Sequence, residues 1–309
     1  MRAERSGPPS MRARELLRGA YDLHVHIEPD LVARSTTDLV LARRFGALGL
    51  AGFALKSHYV PTAERAAVVS AAVPGVRVLG GLTLNSGIGG LNPVAVEIAA
   101  RQGARIVWMP TADAENEANH RATRPQAGQP VWAKLQDELS SLGIDHGPVR
   151  VVESGSVVRE VAQVLRVVAR HDLVLATGHL NRAEIFAVVE AALGAGIRHV
   201  VVTHPDYPTQ DVSQDDQRSL AAQGALLERC FAPVHTGKVS WERVIEAIRA
   251  TGVDHNILST DLGQLGNPSV EDGLALMADR LLEAGFSETE VRTMAVTNTR
   301  RLAGEDGDV

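Results

Sequence analysis

Across residues 20–303, short apolar runs alternate with longer stretches in which apolar residues recur three and four positions apart. The first kind reads as a buried strand and the second as a helix with one apolar face. The predicted strands run from Ala20 to His26 and then over 51–57, 76–84, 104–110, 173–179, 199–205, 224–231 and 256–261. Helices are expected at 37–48, from Pro61 and Thr62 onward, and at 93–102, 156–170, 182–194, after Ser213, and at 240–251, 270–284 and 288–303. Eight strands alternating with helices fit an α/β fold, a closed (β/α)8 barrel of the TIM type; an open doubly wound sheet is the alternative. Residues 111–150 break the rhythm. They are polar and punctuated by Pro125, Gly128, Pro130, Gly143, Gly147 and Pro148, and are expected as a long excursion after strand 4, over one mouth of the fold. Residues 1–19, charged and broken by Pro8-Pro9, are expected as a disordered tail, and 20–309 as a single barrel domain.

Composition narrows the function. At 309 residues and 45% hydrophobic the chain can bury one large core, and with only 4% aromatics it suits β-branched strands under Ala- and Leu-rich helices. A net charge of −6 without a long basic run excludes nucleic acid as a principal partner. Cys230 is the sole cysteine, so no intrachain disulfide forms, and a reducing, cytoplasmic setting is expected. No apolar run reaches the roughly 18–20 residues that cross a bilayer, and the first residues lack the apolar core of a signal peptide. A small molecule is therefore the expected partner, with no membrane; homo-oligomers are left open.

The chemistry gathers at strand ends. His24 and His26 alternate with Leu23 and Val25, a period of two that points both imidazoles to one side of a strand. Two such imidazoles can ligate one divalent ion. His179, His204 and Asp261 also close apolar runs. Each has a plainer reading: a hydrogen-bonded strand-end histidine, or an aspartate capping the next element. Strand ends 1, 2, 5, 6 and 8 converge only in a closed barrel. His146, His171, His199, His235 and His255 fall in loops or at strand starts, away from that mouth.

The pattern of His24-x-His26 after strand 1, His179 after strand 5, His204 after strand 6 and Asp261 after strand 8 resembles the amidohydrolase superfamily of metal-dependent hydrolases, over residues 20–303. The resemblance implies that His24, His26 and Asp261 bind metal, with His179 and His204 completing one or two sites. Zn is the default ion for so imidazole-rich a site, with Mn, Fe, Co and Ni tolerating the same ligands. Asp261 would carry the proton of an activated water, and His204 would ligate a second ion or hydrogen-bond developing charge.

The pattern departs at strand 4, where such barrels often place a carboxylated lysine. Here Trp108-Met109-Pro110-Thr111 offers none, and strand 2 carries Lys56 and His58 instead. Lys56 is expected either as a carbamate bridging two ions or as a cation holding substrate; a snorkelling lysine is the plainer reading. His58, Asn85 and His120 are weaker substrate contacts. Glu28 either supports a ligating histidine or is a solvated loop acid. The expected activity is hydrolysis of an amide, cyclic amide or related carboxylic derivative. The alternatives are a lactonase or phosphotriesterase, a one-metal decarboxylase or lyase, and a barrel retired to binding.

Overall fold

The computed structural model describes residues 7–123, 131–144 and 147–305; His146 lies outside them. Eight parallel strands form the sheet in sequence order: β1 (Tyr21–Val25), β2 (Gly52–Leu55), β3 (Arg77–Thr83), β4 (Ala104–Trp108), β5 (Val174–Ala176), β6 (Val200–Val202), β7 (Leu226–Cys230) and β8 (Asn256–Ser259). All eight coincide with predicted runs. Each apolar run is buried on both faces, as a parallel sheet under helices requires. Tyr21, Leu79, Ile106, Trp108, Val174, Val201, Leu226 and Ile257 fill the barrel interior, and Leu302 and Ala303 of the C-terminal helix join that cluster at the strand starts. Two larger apolar layers lie between strands and helices.

The helices are α1 (Met11–Leu16), α2 (Asp38–Leu48), α3 (Ala63–Ala72), α4 (Pro93–Arg101), α5 (Glu115–Thr123), α6 (Val131–Ser141), α7 (Arg159–Arg170), α8 (Arg182–Gly194), α9 (Gln214–Ala222), α10 (Phe231–His235), α11 (Trp241–Thr251) and α12 (Val270–Glu283). Local signals set their ends. Thr37 caps α2, Gly49 closes it in the left-handed region, and Asn181 and Glu184 form a capping box at α8. The expected final helix is a continuous run interrupted by a π turn, Thr293–Thr297. Among the described residues no helix is long and apolar enough to cross a membrane.

Two expectations are corrected. Within the predicted disordered tail, Met11–Leu16 is a helix: Ser10 caps it and bonds Asp279 at 2.6 and 2.7 Å, while Ala13 and Leu16 are buried. Its few apolar residues find a core because α12 and the segment Glu288–Arg292 lie beside it. The 111–150 excursion is not loop throughout but holds α5 and α6. Helix α5 is almost wholly polar, so no apolar period announced it. Asn116 fastens it instead, donating to the carbonyls of His179 (3.0 Å) and Thr209 (2.9 Å).

The barrel closes between β8 and β1 without a regular ladder. Thr260 N–H and Oγ1 donate to the buried carboxylate of Asp22 at 3.0 and 2.6 Å, Asp261 N–H donates to His24 O at 2.9 Å, and His26 N–H donates to Leu262 O at 2.8 Å. Strand β1 is itself irregular. Its register against β2 shifts between Asp22 and Val25, so Leu23 packs inside the barrel while Val25 faces the helix layer. The simple alternation read from the sequence is broken there, yet both histidines still reach the mouth.

Candidate metal centre

His24 and His26 leave the end of β1 with ring centroids 5.3 Å apart. Asp261, just past β8, places Oδ1 3.2 Å from the Nε2 of each. The seam bonds dictate this meeting, because Asp261 N–H and His24 O are themselves paired. Around the same point, His204 stacks on His24 at 6.1 Å and lies tilted 5.1 Å from His179, and His58 lies 4.9 Å from His26 and 6.1 Å from His179. Lys56 Nζ is 2.9 Å from His24 Nε2. All of these but His24, which lies buried beneath them, line a cavity of about 300 Å³ at the C-terminal ends of the strands, where a barrel keeps its chemistry.

Backbone strain marks two of these positions. His204 and Asp261 have φ of 26° and 52°, in the left-handed region that non-glycine residues avoid. Gly178, also in the left-handed region at φ 61°, is needed for its lack of a side chain as well. A Cβ there would come within 2.4 Å of Met109 O and 2.5 Å of Pro110 O, and that close approach sets His179 on the rim of β4.

The imidazoles are held neutral. Burial pushes His26 and His204 down to about 3 and lowers His58 and His179 as well. Neutral imidazole is the ligating form. His24 differs: burial and Lys56 oppose its charge, but the carboxylates of Asp261 and Glu228 on its two edges outweigh them and raise it to about 9. Burial likewise opposes charge on Asp261, yet His24 and His26 hold it well below the usual carboxylate range.

A divalent ion fits this set. Ligands on tetrahedral bonds of about 2.1 Å lie ~3.4 Å apart, close to the 3.2 Å separating Asp261 Oδ1 from each imidazole nitrogen. The ligating atoms of His24, His26 and Asp261 all fall within 4.8 Å of one another.

Three residues escaped the sequence reading. Glu228 on β7 points inward and sets both carboxylate oxygens 3.2 Å from His24 Nδ1, which commits Nε2 to the Asp261 side. Glu117 on α5 brings Oε1 to 3.2 Å from His179 Nδ1, too obliquely for a hydrogen bond, and accepts one from Thr209. Asp22 latches the seam. A charged residue inside an apolar strand was the only available signal for Glu228, and Arg229 beside it obscured which of the two faces inward.

Other assignments change. Asn85 does not line the cavity: Nδ2 donates to His58 O (2.9 Å) and Thr111 Oγ1 (2.8 Å), while Oδ1 accepts from Thr111 N–H (2.8 Å). Thr111 in turn meets His58 Nδ1 at 2.8 Å, so Asn85 props His58 from behind. His120 lies on α5 away from the cavity wall, and Glu117, one turn earlier, lines it instead. Glu28 accepts from Arg34 N–H and shapes its loop, leaving His26 Nδ1 without a partner among the described residues. Cys230 Sγ lies 3.9 Å from His24 Nδ1, where burial keeps the thiol protonated.

A sequence-family model described as a family of unknown function, DUF6282, matches residues 19–228. The chain belongs to the DUF6282 family. The match ends on β7, so Asp261 lies beyond it. No curated protein matches the chain in sequence. Solved structures that resemble this DUF6282 barrel include the probable dipeptidase PvdM from Pseudomonas aeruginosa, at 11% identity and TM-score 0.63, covering 95% of this chain and 97% of that one. An amidohydrolase from Pseudomonas aeruginosa aligns at 13% identity and TM-score 0.60, covering 95% and 98%. A structure described as organophosphate hydrolysis engineered from a weak promiscuous lactonase aligns at 13% identity and TM-score 0.56, covering 94% and 96%. At such identities the likeness is one of fold, and the fold is the (β/α)8 barrel.

Proposed function

We propose that this DUF6282 protein is a metal-dependent hydrolase that uses an activated water to cleave an amide, cyclic amide or related carboxylic derivative of a small molecule. The observation that carries the reading is the convergence of two imidazole Nε2 atoms on one oxygen of Asp261 at 3.2 Å, at the floor of the cavity. His24, His26 and Asp261 would hold the ion, with His179 and His204 available for a second. A bound divalent ion would supply Lewis acidity toward water and toward a substrate carbonyl.

The residues divide the remaining work. Asp261 Oδ2, which makes no hydrogen bond to the protein among the described residues, takes the proton of the attacking water and returns it to the leaving group. His204 has Nδ1 engaged by Gln210 Oε1 at 3.1 Å, which turns Nε2 toward the site. Being neutral, it accepts or donates one hydrogen bond without competing for protons. Burial lowers Lys56, which favours the uncharged amine, the form that adds carbon dioxide with loss of a proton. We therefore read Lys56 as a carbamate bridge, and a carbamate signal in 13C NMR under labelled bicarbonate tests it. An unmodified amine in the active, metal-loaded protein would discard the bridge.

The absence of a strand-4 ligand favours a second reading, a one-ion decarboxylase or lyase. Ion counting separates the two. Elemental analysis of protein purified without added metal, followed by assays on amides, lactones and phosphotriesters, should give two ions per chain and carboxylic hydrolysis. One ion without hydrolysis points to the lyase, and no ion to a binding barrel.

A further inference from the structure

Arg34 and Tyr59 place unused hydrogen-bond donors on the cavity wall. The Arg34 side chain, 8% exposed, spends Nε and Nη2 on a single oxygen of Asp30 at 2.7 Å. Its Nη1 has no protein partner among the described residues, and the side chain lines the cavity. The Tyr59 hydroxyl is buried with no partner either; it lines the same cavity, near enough to Arg34 to feel its charge. A buried hydroxyl left unmatched is costly, so this one suits an acceptor that arrives with a ligand. Burial raises it to about 12, which keeps it a donor.

The placement of charge adds a direction. Arg34 lies near enough to His26 and His58 to disfavour their protonation. Across the site, Lys238 Nζ donates to Tyr207 Oη at 2.9 Å without a carboxylate partner among the described residues, and the Tyr207 ring packs 5.2 Å from His204. Donors therefore flank the histidine cluster on both sides. Gln264 and Asn267 also line the cavity, where Gln264 Nε2 donates to Asp261 O and Asn267 Nδ2 donates to Gln264 Oε1.

We propose that the cavity selects substrates carrying a free carboxylate, held by Arg34 Nη1 and Tyr59 Oη beside His26, with Lys238 balancing the charge at the mouth. This rests on the hydrolase reading for what happens to the substrate, but not for its binding. The test is calorimetric titration of the full, zinc-loaded chain with N-acetylglycine and with its neutral analogue N-acetylglycinamide. The acid should bind at least about tenfold more tightly than the amide. Arg34→Gln should lose about tenfold for the acid alone, Arg34→Lys should recover part of it, and Tyr59→Phe should lose about threefold.

Equal affinities would overturn the proposal because the cavity would show no preference for a carboxylate. Undiminished acid binding by Arg34→Gln at full zinc content would overturn it because the carboxylate would then be held elsewhere. Should Arg34→Gln lose zinc or unfold, Tyr59→Phe decides, and unchanged acid affinity in that variant overturns it equally. Turnover in the same samples is read separately. Selective acid binding without turnover of any amide upholds the anion pocket and counts against hydrolysis. Turnover of both compounds without preference upholds hydrolysis and rejects the pocket.

Discussion

Asp261 and His24 are joined twice: main chain to main chain, at 2.9 Å from Asp261 N to His24 O, and side chain to side chain, at 3.2 Å from Oδ1 to Nε2. The last link that closes the barrel is also the contact that assembles the candidate metal centre. Stability of the seam and competence of the site are therefore coupled.

Gly263 tests that coupling. Its φ is 125°, and a Cβ there would lie 1.5 Å from His26 O, inside the seam. Gly263→Ala should lower stability by at least about 3 kcal/mol and release metal in parallel. Thermal melting followed by circular dichroism, with zinc content measured on the same sample, checks both. A melting temperature within about 2 °C of wild type would show that the seam yields freely.

Glu228→Gln keeps the shape of the side chain but removes the charge facing His24 Nδ1. Metal affinity should fall about 10- to 100-fold, read by competition with a chelator of known strength. Unaltered affinity would mean that His24 needs no carboxylate to present Nε2.

Asn85→Ala should act on the fold beneath His58. Thr111 N–H and His58 O would lose their buried partners, at about 1–3 kcal/mol. Urea unfolding measures the loss. A substrate-contact role would instead leave stability intact and weaken substrate binding.

The metal-free protein should weaken as pH falls below 6.5. His26 and His204, at about 3 when folded because of burial, take up protons near 6.5 when unfolded. The unfolded state therefore binds more protons between those values, and each group removes up to about 1.4 kcal/mol per pH unit on acidification. His58 and His179 act in the same direction. Asp22 opposes them: burial raises it to about 7, so the stability it contributes at low pH is lost as pH rises from 3.8 to 7. His24, raised to about 9, is charged in both states below 6.5 and drops out. Urea unfolding of chelator-stripped protein at pH 4.5, 5.5 and 6.5 should show decreasing stability toward acid. A flat or inverse trend would place those imidazoles in water.

The sequence by itself determined the eight strands, their order, and the positions of His24, His26, His179, His204 and Asp261 at strand ends. Those features are local: apolar runs bounded by glycine, proline and polar residues force buried parallel strands, and a parallel strand must present its last residues at one rim. Only the tertiary structure decided which of Glu228 and Arg229 faces inward, that a polar helix lowers Glu117 onto His179, that Asn85 turns away from the cavity to brace His58, and that an irregular β1 puts Leu23 inside while Val25 faces out. Each depends on a partner distant in sequence, and alternation along one strand carries no record of where the neighbouring strand shifts its register.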